Sequence, residues 1–243
     1  MHQLWITALL NKYFAGMANA ILGIFHLRPE YPQAPISNYV AMQLLVFVLL
    51  VVTFAIVRAR LSVDNPGVLQ HVMESLDAFV DKQGHEVIGH GYQQYTGYLT
   101  ILGIFILVCC LIGVIPGFES PTGVPSVPLG CALVTWIYYH MQGIRRNGVI
   151  GYVKHFMGPV PAIAPLLFPI EIFSHLARIM SLTIRLFANM FAGDMVTLVF
   201  LSLFPIGLPV AFLGLHIFVS FIQTYIFVLL ATVYIAEAVA HEQ

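Results

Sequence analysis

Long apolar runs, broken by a few short charged clusters, set the pattern of this chain. Stretches without Asp, Glu, Lys or Arg cover residues 31–57, 87–118, 120–144 and 195–236. A helix that crosses a bilayer needs about 20 mostly apolar residues. The dense apolar parts of the first three stretches are Val40–Val57, Tyr98–Ile115 and Val127–Met141. The fourth stretch, as one helix, would extend about 63 Å at ~1.5 Å per residue. That is twice the roughly 30 Å hydrocarbon core, so a turn is required. Phe204-Pro-Ile-Gly-Leu-Pro209 supplies it. The segment before the turn, from Pro159, is helical in period but carries charges. The pattern therefore predicts about five transmembrane helices, at 39–58, 97–116, 126–143, 166–204 and 207–240. The last two are long, must tilt, and form a hairpin.

Two further helices fall outside these spans. Residues 1–27 read as an amphipathic, interface-seeking helix with Trp5, Tyr13 and Phe14 as anchors and Lys12 in its middle. The stretch has no clear cleavage site, so it is not read as a signal peptide. Residues 67–83 read as a surface helix between spans one and two. Val68, Val72, Leu76 and Phe79 make its apolar face, with Glu74, Asp77 and Asp81 expected in water. Arg58, Arg60 and Lys82 lie between spans one and two, and Arg145, Arg146 and Lys154 between spans three and four. The loops at 116–126 and 204–209 carry no Lys or Arg. Positive loops face the cytoplasm, which predicts the N-terminus outside and the C-terminus inside. No internal repeat or linker divides the chain. The expected organisation is one all-α polytopic membrane domain over 1–243. It comprises an N-terminal outer or interfacial segment (1–38), helices one to three with their loops (39–165) and an ion-channel helical hairpin (166–243).

Composition narrows the classes further. Hydrophobic residues make up 59% and charged residues 9%, against about 45–50% and roughly 25% in soluble domains. So few charges exclude a soluble globule and a disordered chain. Three cysteines, all in apolar runs, build no disulfide framework. A net charge of -1 offers no field to nucleic acid. His85 and His90 flank Glu86 but lack the helical spacing of a zinc protease. No phosphate-binding glycine loop or nucleophile–base pair stands out. The chain is expected to need no cofactor and no metal, and not to be catalytic by itself.

The chemistry concentrates in span four, which holds Glu171, Arg178, Arg185 and Asp194. An Arg at mid-membrane costs about 2.5–3.5 kcal/mol on insertion scales. At about 100° per residue, Glu171, Ser174, Arg178, Ser181 and Asn189 all fall within roughly 40° of Arg185. They form one polar stripe that must meet protein or water rather than lipid. Ser174 and Ser181 alone would read as helix–helix contacts, and Arg178 lies toward the cytoplasmic side. Arg185 is different. Its neighbours three and four residues away are Ser181, Leu182, Ala188 and Asn189, none of them an acid, and Arg does not shed its proton. Its counter-ion must come from elsewhere. Asp194 points about 180° away from Arg185, toward the returning span five. That span carries His216, Gln223 and Glu237. Counted from the turn, Asp194 and His216 lie at similar depth near the outer side, as a protonatable pair. Arg185 and Gln223 lie deeper. Glu237 sits near the inner interface in a solvated or packing role.

The residues 181–194, S-L-T-I-R-L-F-A-N-M-F-A-G-D, resemble the signature of subunit a of the F-type ATP synthase, bacterial type. Pro35-Ile-Ser-Asn-Tyr-Val40 and Ile115-Pro-Gly-Phe-Glu-Ser-Pro-Thr122 are similar to bacterial members, and Glu171, His216 and Gln223 match family positions. Asp194 departs from the pattern, since members commonly have Glu there. The resemblance implies a proton-translocating stator subunit working against a rotating c-ring whose carboxylate meets Arg185. It also implies an entry path past Asp194 and His216, an exit path past Glu171, Ser174 and Arg178, and Gln223 and Asn189 holding the guanidinium. Further implied partners are the b and b′ subunits of the peripheral stalk and, indirectly, the soluble catalytic sector. The implied location is a bacterial inner membrane. The rival reading is an ion-coupled secondary transporter, which usually shows repeated, broken helices.

Overall fold

A computed structural model describes residues 4–24, 34–62, 66–115, 118–157, 164–203 and 207–240. Among them every regular element is helical. The α-helices are α1 (Trp5–Ile24), α2 (Asn38–Ala59), α3 (Val68–Ile88), α4 (Gln93–Ile112), α5 (Ser126–Met157), α6 (Ala164–Leu203) and α7 (Leu208–Val239), with a single 3₁₀ turn at Pro121–Gly123. The expected turn at 204–209 falls partly outside the described residues.

The arrangement of polarity inverts that of a soluble protein. Phe47, Val48, Val51 and Val52 of α2 are exposed, and its buried side is one stripe of Ala41, Met42, Val46 and Leu50. On α1, Trp5, Tyr13 and Phe14 face outward while Thr7 and Asn11 are buried. Asn11 bonds both backbone groups of Ile36, donating to its carbonyl at 3.1 Å and accepting from its N–H at 3.0 Å. Apolar side chains facing outward suit a hydrocarbon solvent, where backbone and hydroxyl groups need internal partners. Thr135, Thr183, Ser220, Thr224 and Thr232 meet that demand by donating to the carbonyl four residues back, each at 2.8 Å.

Four helices are long and apolar enough to cross a membrane: α2, α4, α6 from Pro165 and α7 from Val210. The five-span reading has four of its spans on these helices. Its third span, 126–143, is the first part of α5, where Thr135, His140 and Gln142 dilute the apolar run and Arg145 and Arg146 follow at once. This part of α5 nonetheless packs against α6 and α7 as a member of the bundle. The helix then kinks at Gly148, whose φ of 70° lies in a region that side chains with a Cβ disfavour. The main core joins Leu99 and Ile106 of α4, Tyr139 of α5, Leu186 and Met190 of α6, and Phe227 and Ile235 of α7. Cys109 and Cys110 of α4 and Cys131 of α5 are buried as free thiols.

The helix at 67–83 exists as α3, but its faces are used differently from expectation. Asp77 accepts from Thr100 Oγ1 at 2.7 Å, and Asp81 accepts from Tyr92 Oη at 3.0 Å and Thr96 Oγ1 at 3.4 Å. These acids address α4 rather than only water. Val68, Val72 and Phe79 are exposed. The periodicity identified two unlike faces. In a membrane protein the polar face can be the one that finds protein.

Contacts sort the molecule into two ends. At one, Asn38 accepts from the backbone N–H of Leu4 at 3.2 Å and donates to Glu119 at 3.1 Å, and Gly123 adjoins Asp194. At the other, Arg146 adjoins Gly91, and Asn147 donates to the carbonyl of Ala238 at 3.3 Å.

Candidate functional site

Helices α6 and α7 build the site along their shared seam. Near one end, Asp194 Oδ1 on α6 stands 3.7 Å from His216 Nδ1 on α7. The imidazole is deeply buried, and its Nε2 has no hydrogen-bond partner among the described residues. Gly193 makes this approach possible, since a Cβ there would lie 2.9 Å from His216 Nδ1. The pair opens on a cavity of about 470 Å³ that also touches Tyr39, Glu119 and Gly123. A second cavity of about 290 Å³ continues from His216 along the seam to Asn189. His216 and Thr197 line both cavities.

In that middle, Asn189 Nδ2 donates to Gln223 Oε1 at 2.7 Å. Arg185 donates to Ser181 Oγ, one turn back, at 3.3 Å. Among the described residues no carboxylate pairs with Arg185. Asn189 and Gln223 were expected to hold the guanidinium. They bond each other across the seam, where the buried Gln223 amide needs a partner.

The opposite end is densely connected. Glu171 Oε1 lies 3.4 Å from His175 Nε2, and His175 Nδ1 lies 2.8 Å from Tyr139 Oη of α5. Arg178 pairs with Glu237 of α7 and sits 4.7 Å over the Tyr234 ring. The reading of Glu237 as solvated or packing is thus sharpened to a specific ion pair. Ser174 lies half-buried on the same face. Sequence reasoning passed over Tyr39, Glu119, Tyr139, His140, His175 and Tyr234. His175 carried a usable signal, four residues after Glu171 and so on the same helix face.

Comparison with known proteins settles the family. Residues 40–236 match the model of the ATP synthase A chain. Subunit a of the ATP synthase from Koribacter versatilis is 66% identical over 240 residues, covering 99% of this chain and 98% of the relative. The chain belongs to the ATP synthase subunit a family. Subunit a from Solibacter usitatus is 53% identical over 96% of this chain and 100% of the relative. Subunit a from Sulfurihydrogenibium sp. is 40% identical over 85% and 99%. The family is that of the proton-translocating stator subunit in the membrane sector, and the chain is a multi-pass membrane component of the ATP synthase complex. Subunit a membership gives no support to the transporter reading.

Proposed function

We propose that this chain carries protons through two offset half-channels that meet at Arg185, coupling proton flow to rotation of a c-ring. The observation that carries the reading is Arg185 itself. It is a half-buried guanidinium on an apolar helix, bonded to a serine and paired with no carboxylate of the described residues. An unneutralised charge at such a position is stable only if an acid is supplied in trans. In this reading that acid is the c-ring carboxylate.

Protons enter through the cavity beside Glu119, Asp194 and His216 and neutralise a ring carboxylate. Only the neutral form tolerates lipid, so the ring carries it away from the stator. When a carboxylate returns to Arg185, the fixed positive charge favours its ionised form and the proton is released. Exit runs past Ser174, Arg178 and Glu171. Arg185 also repels protons that would pass straight from one half-channel to the other. Each charge crossing yields about 2.3 kcal/mol per 100 mV, so several crossings serve each ATP. The chain itself performs no bond chemistry and needs no cofactor or metal. Its remaining partners are the b and b′ stalk subunits and, through them, the soluble catalytic sector. The location proposed is a bacterial inner membrane. There the Asp194 end and N-terminus face outward, while the end bearing Arg145 and Arg146 faces the cytoplasm.

The test replaces Arg185 by Ala in the assembled enzyme in vesicles. ATP-driven proton pumping should vanish, and retained coupled pumping would overturn the mechanism. Cysteine pairs between the Arg185 stripe of α6 and the c subunit should cross-link, whereas a free-standing transporter would give none.

A further inference from the structure

The inner end of the seam contains a row of groups of which the Arg185 mechanism uses only Glu171. Three proton-exchanging groups from two helices stand in sequence: Tyr139 on α5, then His175 and Glu171 on α6. Tyr139 Oη is 2.8 Å from His175 Nδ1, and His175 Nε2 is 3.4 Å from Glu171 Oε1. Both nitrogens of one imidazole therefore face a proton-exchanging oxygen. Exposure rises along the row, from 1% for Tyr139 to 39% for the Glu171 side chain. The row thus runs from the packed interior to the surface of the chain.

We propose that His175 is a proton-relay residue of the inner half-channel, passing protons from Tyr139 to Glu171; the proposal rests on the half-channel reading above. In one transfer Tyr139 Oη takes up a proton and gives its own to Nδ1, while the proton on Nε2 passes to the Glu171 carboxylate. One proton enters and one leaves, and the ring keeps one throughout. The imidazole ends as its other tautomer, which proton exchange or a ring flip resets.

The surroundings suit this role. Arg178 of α6 lies one turn on and is engaged by Glu237 of α7, so a fixed cation stands near the row without occupying it. From α5, the His140 ring packs edge-on to His175 at 4.8 Å and the Tyr152 ring lies 5.8 Å from His140. From α7, Tyr234 lies 6.0 Å from Tyr139. The charged and titratable groups around His175 are thus Glu171 and Arg178 on its own helix, Tyr139, His140 and Tyr152 on α5, and Tyr234 and Glu237 on α7.

The experiment uses the assembled enzyme in vesicles and follows ATP-driven pumping across a range of pH for His175→Gln and His175→Ala. Gln keeps a polar side chain in place but cannot shuttle a proton. Assembly should persist in both variants. Pumping should fall by about tenfold or more, the scale of a lost positioned proton transfer. The wild-type pH profile should carry a titration that His175→Gln lacks. Added imidazole should partly restore His175→Ala and leave Arg185→Ala inactive. Wild-type rates in His175→Gln overturn the relay, as does a loss in His175→Ala that imidazole leaves untouched. Coupled pumping by Arg185→Ala would instead overturn the half-channel reading beneath it.

Discussion

The two ends of the α6–α7 seam are built differently. At the Asp194 end, the acid and the imidazole stand 3.7 Å apart, too far for a direct bond, beside a cavity of about 470 Å³. At the Glu171 end, side chains touch: Tyr139 meets His175 at 2.8 Å and Arg178 engages Glu237. A gap between polar groups in a roomy cavity is a place for bridging water. In the proposed relay, direct contacts would make the row itself the conductor. The first design depends on the charge and exact position of few groups, the second on a network with two acids. The same class of substitution should therefore cost more at the Asp194 end.

The largest effect is expected from Asp194→Asn, which keeps the shape but removes the exchangeable proton. Proton conductance entering from that side should drop about 100-fold or more, while the complex still assembles. Passive conductance of membranes stripped of the soluble sector measures it, and an unchanged value would remove Asp194 from the path. Next comes Gly193→Ala. The new Cβ would lie 2.9 Å from His216 Nδ1 and push the ring from Asp194. A displacement of this order should lower conductance about tenfold. Gly130→Ala is the control, since a Cβ there meets nothing within 4 Å. The smallest effect belongs to Arg178→Ala and Glu237→Gln. Their pair is partly exposed, and such pairs are worth about 0.2–1 kcal/mol. Pumping should change by about fivefold at most, with the double variant no worse than the worse single one. A collapse of pumping in either single variant would mean the two ends are equally demanding.

Parts of this architecture could be read from the sequence because a simple period governs them. The stripe through Ser174, Arg178, Arg185 and Asn189 follows from 100° per residue. The Asp194–His216 juxtaposition follows from counting outward from the turn. The same count could have joined Arg178 to Glu237, since both lie far from the turn on facing helices. The partners of Asp77 and Asp81 were beyond reach. A period separates two faces but does not say whether the polar one meets water or the hydroxyls of Thr96 and Thr100. The extent of α5 was hidden for a related reason. Hydropathy marks where lipid contact ends, whereas a helix continues through Arg145 and Arg146 because nothing there breaks it. The Tyr139–His175 contact joins residues 36 apart on two helices, so only packing could reveal it.

The three thiols have a practical consequence. Cys109 and Cys110 have no exposed surface and Cys131 has 8%, so water-soluble maleimides added from either side have little to react with. A cysteine introduced at Gly123 or Glu171 would then report through an almost silent background. The accessibility of each end could be mapped in the native chain, without first stripping it of its own sulfur.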